Sequence, residues 1–161
     1  MPSATRPGRA RHLSFARAVL AVCSVVVLVA ACGGATATPA PSLGPIDLNG
    51  TSWRLISYLS PDGTNFTVPS AVTPGATFAN GQFQGDTGCN TASGPYTQNG
   101  TAISIGPIAS TKKACQDPMA AIETAYLASL AVIDKAVGND TTLLLTSSTA
   151  GFTAMKFVRA N

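Results

Sequence analysis

The sequence holds a single histidine, His12, and it lies among the first dozen residues. Everything after it must do its chemistry without imidazole. That removes a Ser-His-Asp triad and a Cys-His pair, since the general base is missing. It also weakens any zinc reading, because such sites want four ligands, commonly cysteine and histidine in close pairs. Charge is scarce too, at 11% of residues. Four arginines, Arg6, Arg9, Arg11 and Arg17, precede the first acid, Asp47. Beyond Cys32 there are six basic and seven acidic residues, a net charge of −1, so the basic character of the whole chain belongs to its first segment. Lys112-Lys113 is the only adjacent basic pair. Nucleic-acid binding needs a clustered basic face, and none is expected here. A phosphate-cradling glycine loop of the required form is also missing.

Long apolar runs are absent as well. The longest uncharged apolar stretch, Ala18 to Ala31, falls short of the roughly 20 residues that cross a bilayer. It suits the h-region of a secretory signal, with the four arginines before it. It ends in Val29-Ala30-Ala31-Cys32, which resembles a bacterial lipobox. The resemblance implies cleavage before Cys32, acylation of its sulfur, and a membrane partner held through that lipid. An ordinary signal peptide with an incidental cysteine, or an uncleaved anchor, are the alternatives. No Arg-Arg pair marks a twin-arginine route. Residues 1–31 are therefore expected to be a lipoprotein signal peptide. Residues 32–46, rich in Gly, Ala, Thr and Pro and poor in charge, read as a flexible tether. Residues 47–161 are long enough for one domain with one modest core.

Within that domain the pattern is mostly of period two. Residues 48–59 alternate as a first strand, with Trp53, Leu55 and Ser57 on one side and Arg54, Ile56 and Tyr58 on the other. A turn is expected at 60–65, around Pro61-Asp62-Gly63. The segment holding Pro69 and Pro74 can supply at most an edge strand. Two hairpins follow, over 76–88 and 95–106, turning at Asn80-Gly81 and Asn99-Gly100. The period then changes. Ile122, Tyr126 and Leu130 recur as a helical stripe within 116–133, with Asp117 as N-cap, Pro118 at the first helical position and Glu123 early in the helix. Closing strands are expected around 141–148 and 152–160, with turns at 138–140 and near Ala150-Gly151. The fold class is thus α+β: mostly antiparallel β, a small barrel-like sheet with one α-helix.

Four cysteines are present. Cys23 lies in the signal core and Cys32 at the cleavage site, which leaves Cys89 and Cys115. In an exported chain such a pair usually forms a disulfide. It would close a loop worth roughly 3–4 kcal/mol on the chain-entropy view. The rivals are a metal site, a Cys89 nucleophile aided only by Lys112, and carboxylate catalysis by Asp86 with a second acid. Asp86 reads more simply as a loop cap. No metal and no cofactor are expected.

One combination is more specific. Gly85-x-x-Gly88-Cys89-Asn90 is followed by Gly94-x-Tyr96, Ile103-x-Ile105, Ile108-x-x-Thr111 and Cys115. Leu48-x-Gly50-Thr51-x-Trp53 stands at the start. This pattern resembles the META domain, the HslJ-like family of heat-shock and envelope lipoproteins. The resemblance implies a small barrel-like fold with one helix, and marks Gly88, Asn90 and Thr111 as signature positions beside the cysteines. Gly88 would supply a positive-φ bend, Asn90 would bond the backbone of its own turn, and Thr111 would pin the loop before Cys115. The family brings no established enzymatic mechanism. The expected protein is therefore a lipid-anchored, non-catalytic envelope module on the outer face of a bacterial cell membrane, binding an envelope protein through exposed aromatics such as Tyr96 or Phe66 or serving a stress response. The alternative is a carrier holding a small apolar ligand in the barrel mouth, lined by Phe78, Phe83, Ile103 or Leu145.

Overall fold

The computed structural model describes residues 41–59, 63–148 and 154–160. The segment expected to be a signal peptide, Cys32, Pro61-Asp62 and the turn expected at Ala150-Gly151 lie outside the described residues. The chain runs β1 (Thr51–Leu59), β2 (Asn65–Thr67), β3 (Gly75–Ala79), β4 (Gln82–Asp86), β5 (Thr91–Asn99), β6 (Ala102–Ile105) and β7 (Ala109–Ser110). The helix α1 (Met119–Leu130), β8 (Lys135–Gly138), β9 (Thr142–Thr146) and β10 (Ala154–Arg159) follow. Eight strands close into an antiparallel barrel in the order β1-β3-β4-β5-β6-β8-β9-β10, with β10 returning to pair with β1. The short strands β2 and β7 extend β1 and β5 outside that ring. The expected fold class is the observed one.

Strict alternation builds the barrel. Along β3, β4 and β5 every second residue is buried: Ala76 and Phe78, Phe83 and Gly85, then Ala92, Gly94 and Tyr96. Leu143, Leu145, Met155 and Phe157 continue the pattern on the far side. A pleated strand sends alternate side chains to one face, so one face of each strand fills the barrel. Large and small residues alternate to fit. A Cβ on Gly85 would stand 2.7 Å from the Phe83 ring and 2.9 Å from the Tyr126 hydroxyl, so only glycine leaves room there. Trp53 is buried at the start of β1, and its indole N–H donates to Thr51 Oγ1 at 2.7 Å.

The first strand departs from simple alternation. Its register with β10 slips between Leu55 and Ser57. The bulge reverses the parity, so Tyr58 turns inward at 7% exposure and Ser57 leaves the face of Trp53 and Leu55. The two Asn-Gly hairpins also differ. In β3–β4 both Asn80 and Gly81 take positive φ and form the two-residue loop. In β5–β6 Asn99 stays in the strand opposite Ala102, and the loop is Gly100-Thr101. Only Gly100 needs positive φ there, which is the requirement of a turn with glycine first.

The helix buries Ile122, Tyr126 and Leu130 as the stripe requires, joined by Ser129. Its start is corrected. Pro118 occupies the N-cap position and Asp117 makes no cap. The Gln116 carbonyl already accepts from the Met119 and Ala120 amides at 3.0 and 3.2 Å, so those first donors are not free for a carboxylate. Glu123 lies beyond the first turn and serves another purpose, described below. The folded contacts begin ahead of residue 47. Gly44 exchanges two backbone hydrogen bonds with Gly138, and Ile46 packs against the core.

Candidate functional site

The antiparallel order fixes two ends. The β3–β4 and β5–β6 loops and the start of β1 share one end. The β4–β5 turn and the approach to α1 share the other. Asp86, Gly88, Cys89, Thr111 and Cys115 gather at the second end, around Asn90.

Asp86 accepts from the Gly88 amide at 2.7 Å, so it caps its own loop. Gly88 sits at φ +90°, as expected, and a Cβ there would meet Val72 at 2.6 Å. The turn closes on Thr87, whose hydroxyl donates to the Asn90 carbonyl and accepts from the Asn90 amide, both at 2.9 Å. The Asn90 side chain is therefore not needed by the backbone of its own turn and does not bond it; within the turn it meets only the Cys89 sulfur, at 3.8 Å. It reaches across instead. Its Oδ1 accepts from Thr111 Oγ1 and from the Lys113 amide, both at 2.8 Å. Its Nδ2 donates to Glu123 Oε2 at 2.9 Å and to the Lys113 carbonyl at 3.2 Å. With 3% exposure it uses both acceptor sites and both donors. Thr111 Oγ1 accepts from the Thr91 amide at 3.1 Å, which ties the loop down as anticipated.

Cys89 and Cys115 are joined as a disulfide beside this knot. Their sulfurs and a Glu123 oxygen lie within 4.8 Å of one another. The sulfur valences are spent on each other, so neither a free nucleophile nor a thiolate ligand exists in this state. The knot is thus a covalent and hydrogen-bonded clamp between the β4–β5 turn and the helix. Above it, Tyr126 is fully buried and donates to the Gly75 carbonyl at 2.6 Å. Burial first, and the Asp86 carboxylate second, hold its hydroxyl pKa far above the ordinary range.

The barrel interior is filled. Phe78, Phe83, Ile103 and Leu145 are all buried, and the Phe78 ring packs 5.6 Å from Phe83 and 5.0 Å edge-on to Tyr96. Of the two aromatics expected outside, Tyr96 is only 8% exposed, whereas Phe66 is 43% exposed and stacks on Tyr58 at 5.2 Å. Open space lies at the surface instead. A groove of about 560 Å³ sits at the first end, lined by Ile46, Asp47, Asn49, Asn80, Tyr96 and Gln98 among others. Gln98 builds its wall: Oε1 accepts from the Leu48 amide at 3.1 Å, and Nε2 donates to the Ile46 and Gly100 carbonyls at 2.6 and 3.0 Å. Sequence reasoning passed over Thr87, Asp47 and Gln98, and read Glu123 only as a residue favoured by the helix dipole. Glu123 had one available signal, as the only charged residue of α1.

The META domain family model matches residues 46–161, the whole of the barrel and its helix. The chain belongs to the META domain family. Among solved structures, this META protein is similar to an NMR structure of a protein from Burkholderia xenovorans. The identity is 27% and the TM-score 0.62, over 78% of this chain and 97% of that one. A crystal structure of a DUF4847 family protein from Bacteroides vulgatus shares the fold at 16% identity and TM-score 0.50. That likeness covers 69% of this chain and 93% of the other. No curated protein sequence matches the chain. Among the described residues, no helix is long and apolar enough to cross a membrane.

Proposed function

We propose that this META protein is an exported, lipid-anchored binding module of the bacterial envelope that acts without catalysis. In this reading residues 1–31 direct export, the Cys32 sulfur carries the lipid, and residues 32 onward tether the barrel. The Cys89–Cys115 disulfide carries the reading. A structural disulfide suits an oxidising compartment, and this one consumes both thiols of the folded domain. What remains for function is surface, offered to an envelope partner or to a ligand in a stress response.

The test is the intact mass of the protein extracted gently from its own membrane, before and after reduction. Diacylglycerol on Cys32, and one hydrogen gained on each of Cys89 and Cys115 upon reduction, are expected. An unmodified Cys32 would remove the anchor, and no change on reduction would reopen thiol chemistry. The second reading, a carrier, is favoured only in a modified form. Phe78, Phe83, Ile103 and Leu145 fill the space an apolar ligand would need inside the barrel, so a ligand would have to lie in the polar groove at its mouth.

A further inference from the structure

The groove between the segment leading into β1 and the two hairpin loops holds polar groups with capacity to spare. Asp47 Oδ1 accepts from the Asn49 amide at 2.9 Å, and among the described residues no base pairs with this carboxylate. Asn49 Oδ1 accepts from the Asn80 amide at 2.8 Å, which leaves its Nδ2 as a free donor. Asn80 offers a whole exposed amide at φ +52° on the hairpin tip. Tyr96 is more than nine-tenths buried, its ring is held edge-on by Phe78, and its hydroxyl has no hydrogen-bond partner among the described residues. Burial raises the hydroxyl's pKa, and the Asp47 carboxylate raises it further, which places the two groups in one another's field. The ring is the buried part; the hydroxyl faces the open groove, where a ligand can take the bond in place of water.

The frame around these groups is fixed rather than loose. Gln98 spends its whole amide holding Ile46, Leu48 and Gly100 in place. The lining contains one acid and no lysine or arginine, so it selects against anions. Pro45 and Ile46 supply a small apolar wall. A few convergent polar groups against an apolar wall are the usual composition of a small-molecule site.

From this constellation we propose that the groove binds a small polyhydroxylated amine: an ammonium group on Asp47, with hydroxyls shared among Asn49, Asn80 and Tyr96. The inference deepens the binding-module reading and rests on it. D-glucosamine is the simplest probe, because it joins one ammonium to a ring of hydroxyls. D-glucose keeps the hydroxyls and lacks the charge.

The experiment is an amide-resolved NMR titration of the full chain in a lipid or detergent environment. Glucosamine is expected to move the amides of Asp47, Asn49, Asn80, Gly81 and Gly100 saturably. Glucose should bind about tenfold more weakly, the worth of one charge-assisted contact. Asp47→Asn keeps the acceptor for the Asn49 amide and should remove that tenfold preference. Tyr96→Phe should weaken both sugars on the order of threefold, the worth of one neutral hydrogen bond. The spectra themselves report whether each variant is folded. Equal binding of the two sugars, an unchanged preference in Asp47→Asn, shifts confined to other surfaces, or no saturable shift would each overturn the proposal. None of these outcomes alters the mass of Cys32, so the anchored-module reading stands or falls separately.

Discussion

Asn90 has no bond left to make. It links the β4–β5 turn to Thr111, to the backbone of Lys113 and to Glu123 on α1, all from a nearly sealed position. Asn90→Ala leaves a hydroxyl, an amide, a carbonyl and a carboxylate short of partners, and should cost about 2–4 kcal/mol in chemical denaturation. Asn90→Asp sets a second carboxylate against Glu123. Like charges favour the protonated form, so its deficit relative to the parent should be largest near about pH 7 and shrink toward about pH 4. A constant deficit across that range would show that Glu123 does not face residue 90. Tyr126 titrates in the opposite range. Its pKa is raised in the fold relative to the ordinary tyrosine value of about 10. The stability it contributes is complete below that value and declines as pH climbs above it, because the unfolded chain releases the proton first. Tyr126→Phe should flatten this alkaline decline while lowering stability near neutrality by about 1–3 kcal/mol, since the Gly75 carbonyl loses its donor. Urea midpoints measured from about pH 7 to pH 11 would separate the two effects.

At the scale of elements, the disulfide joins a strand turn to the approach of the helix across a sequence separation of 26. The Cys89→Ser/Cys115→Ser variant should lose about 3 kcal/mol, and it should still fold because the Asn90 bonds span the same gap. A variant that shows no cooperative transition would mean the covalent link is indispensable. The elements themselves were largely readable. Period-two burial along β3, β4 and β5, the Asn80-Gly81 turn and the Ile122-Tyr126-Leu130 stripe are local patterns, and local patterns survive in sequence. The misses have local causes as well. The bulge in β1 hides because an extra residue in one strand is visible only against its partner. The β5–β6 loop slid by one residue because glycine can occupy the first or the second turn position. The Asp117 cap failed because a backbone carbonyl reached the same donors. The site was far less legible. Thr87, Asn90, Thr111 and Glu123 meet only once the barrel closes, as do Asp47, Asn80 and Tyr96 at the other end, and no spacing rule joins residues so far apart. The signature positions were nameable through family resemblance, yet the actual partners of Asn90 were not.

At the scale of the molecule, closure is uneven. The pairing of β1 with β10 spans most of both strands, whereas β6 meets β8 at the single register pair of Ala102 and Lys135, aided by the bonds of Ile103 to Asp134 and Ala136 to Thr101. Ala136→Pro removes one of those donors and should open the seam, seen as fast hydrogen exchange at Ile103 with protection retained in β3–β5. A chain ending at residue 148 loses β10, with buried Met155 and Phe157, and bares the edges of β1 and β9. It should give a collapsed amide spectrum rather than that of a smaller barrel. A dispersed spectrum with a cooperative melt would show that closure is dispensable.

That first-to-last pairing also sets a clock. A polypeptide emerging N-terminus first, from a ribosome or through a pore, can pair β1 with β3 early, but the other edge of β1 must wait about a hundred residues for β10. Until Arg159 has emerged the ring has a missing stave, and the open edge of β1 is a place where another strand could pair.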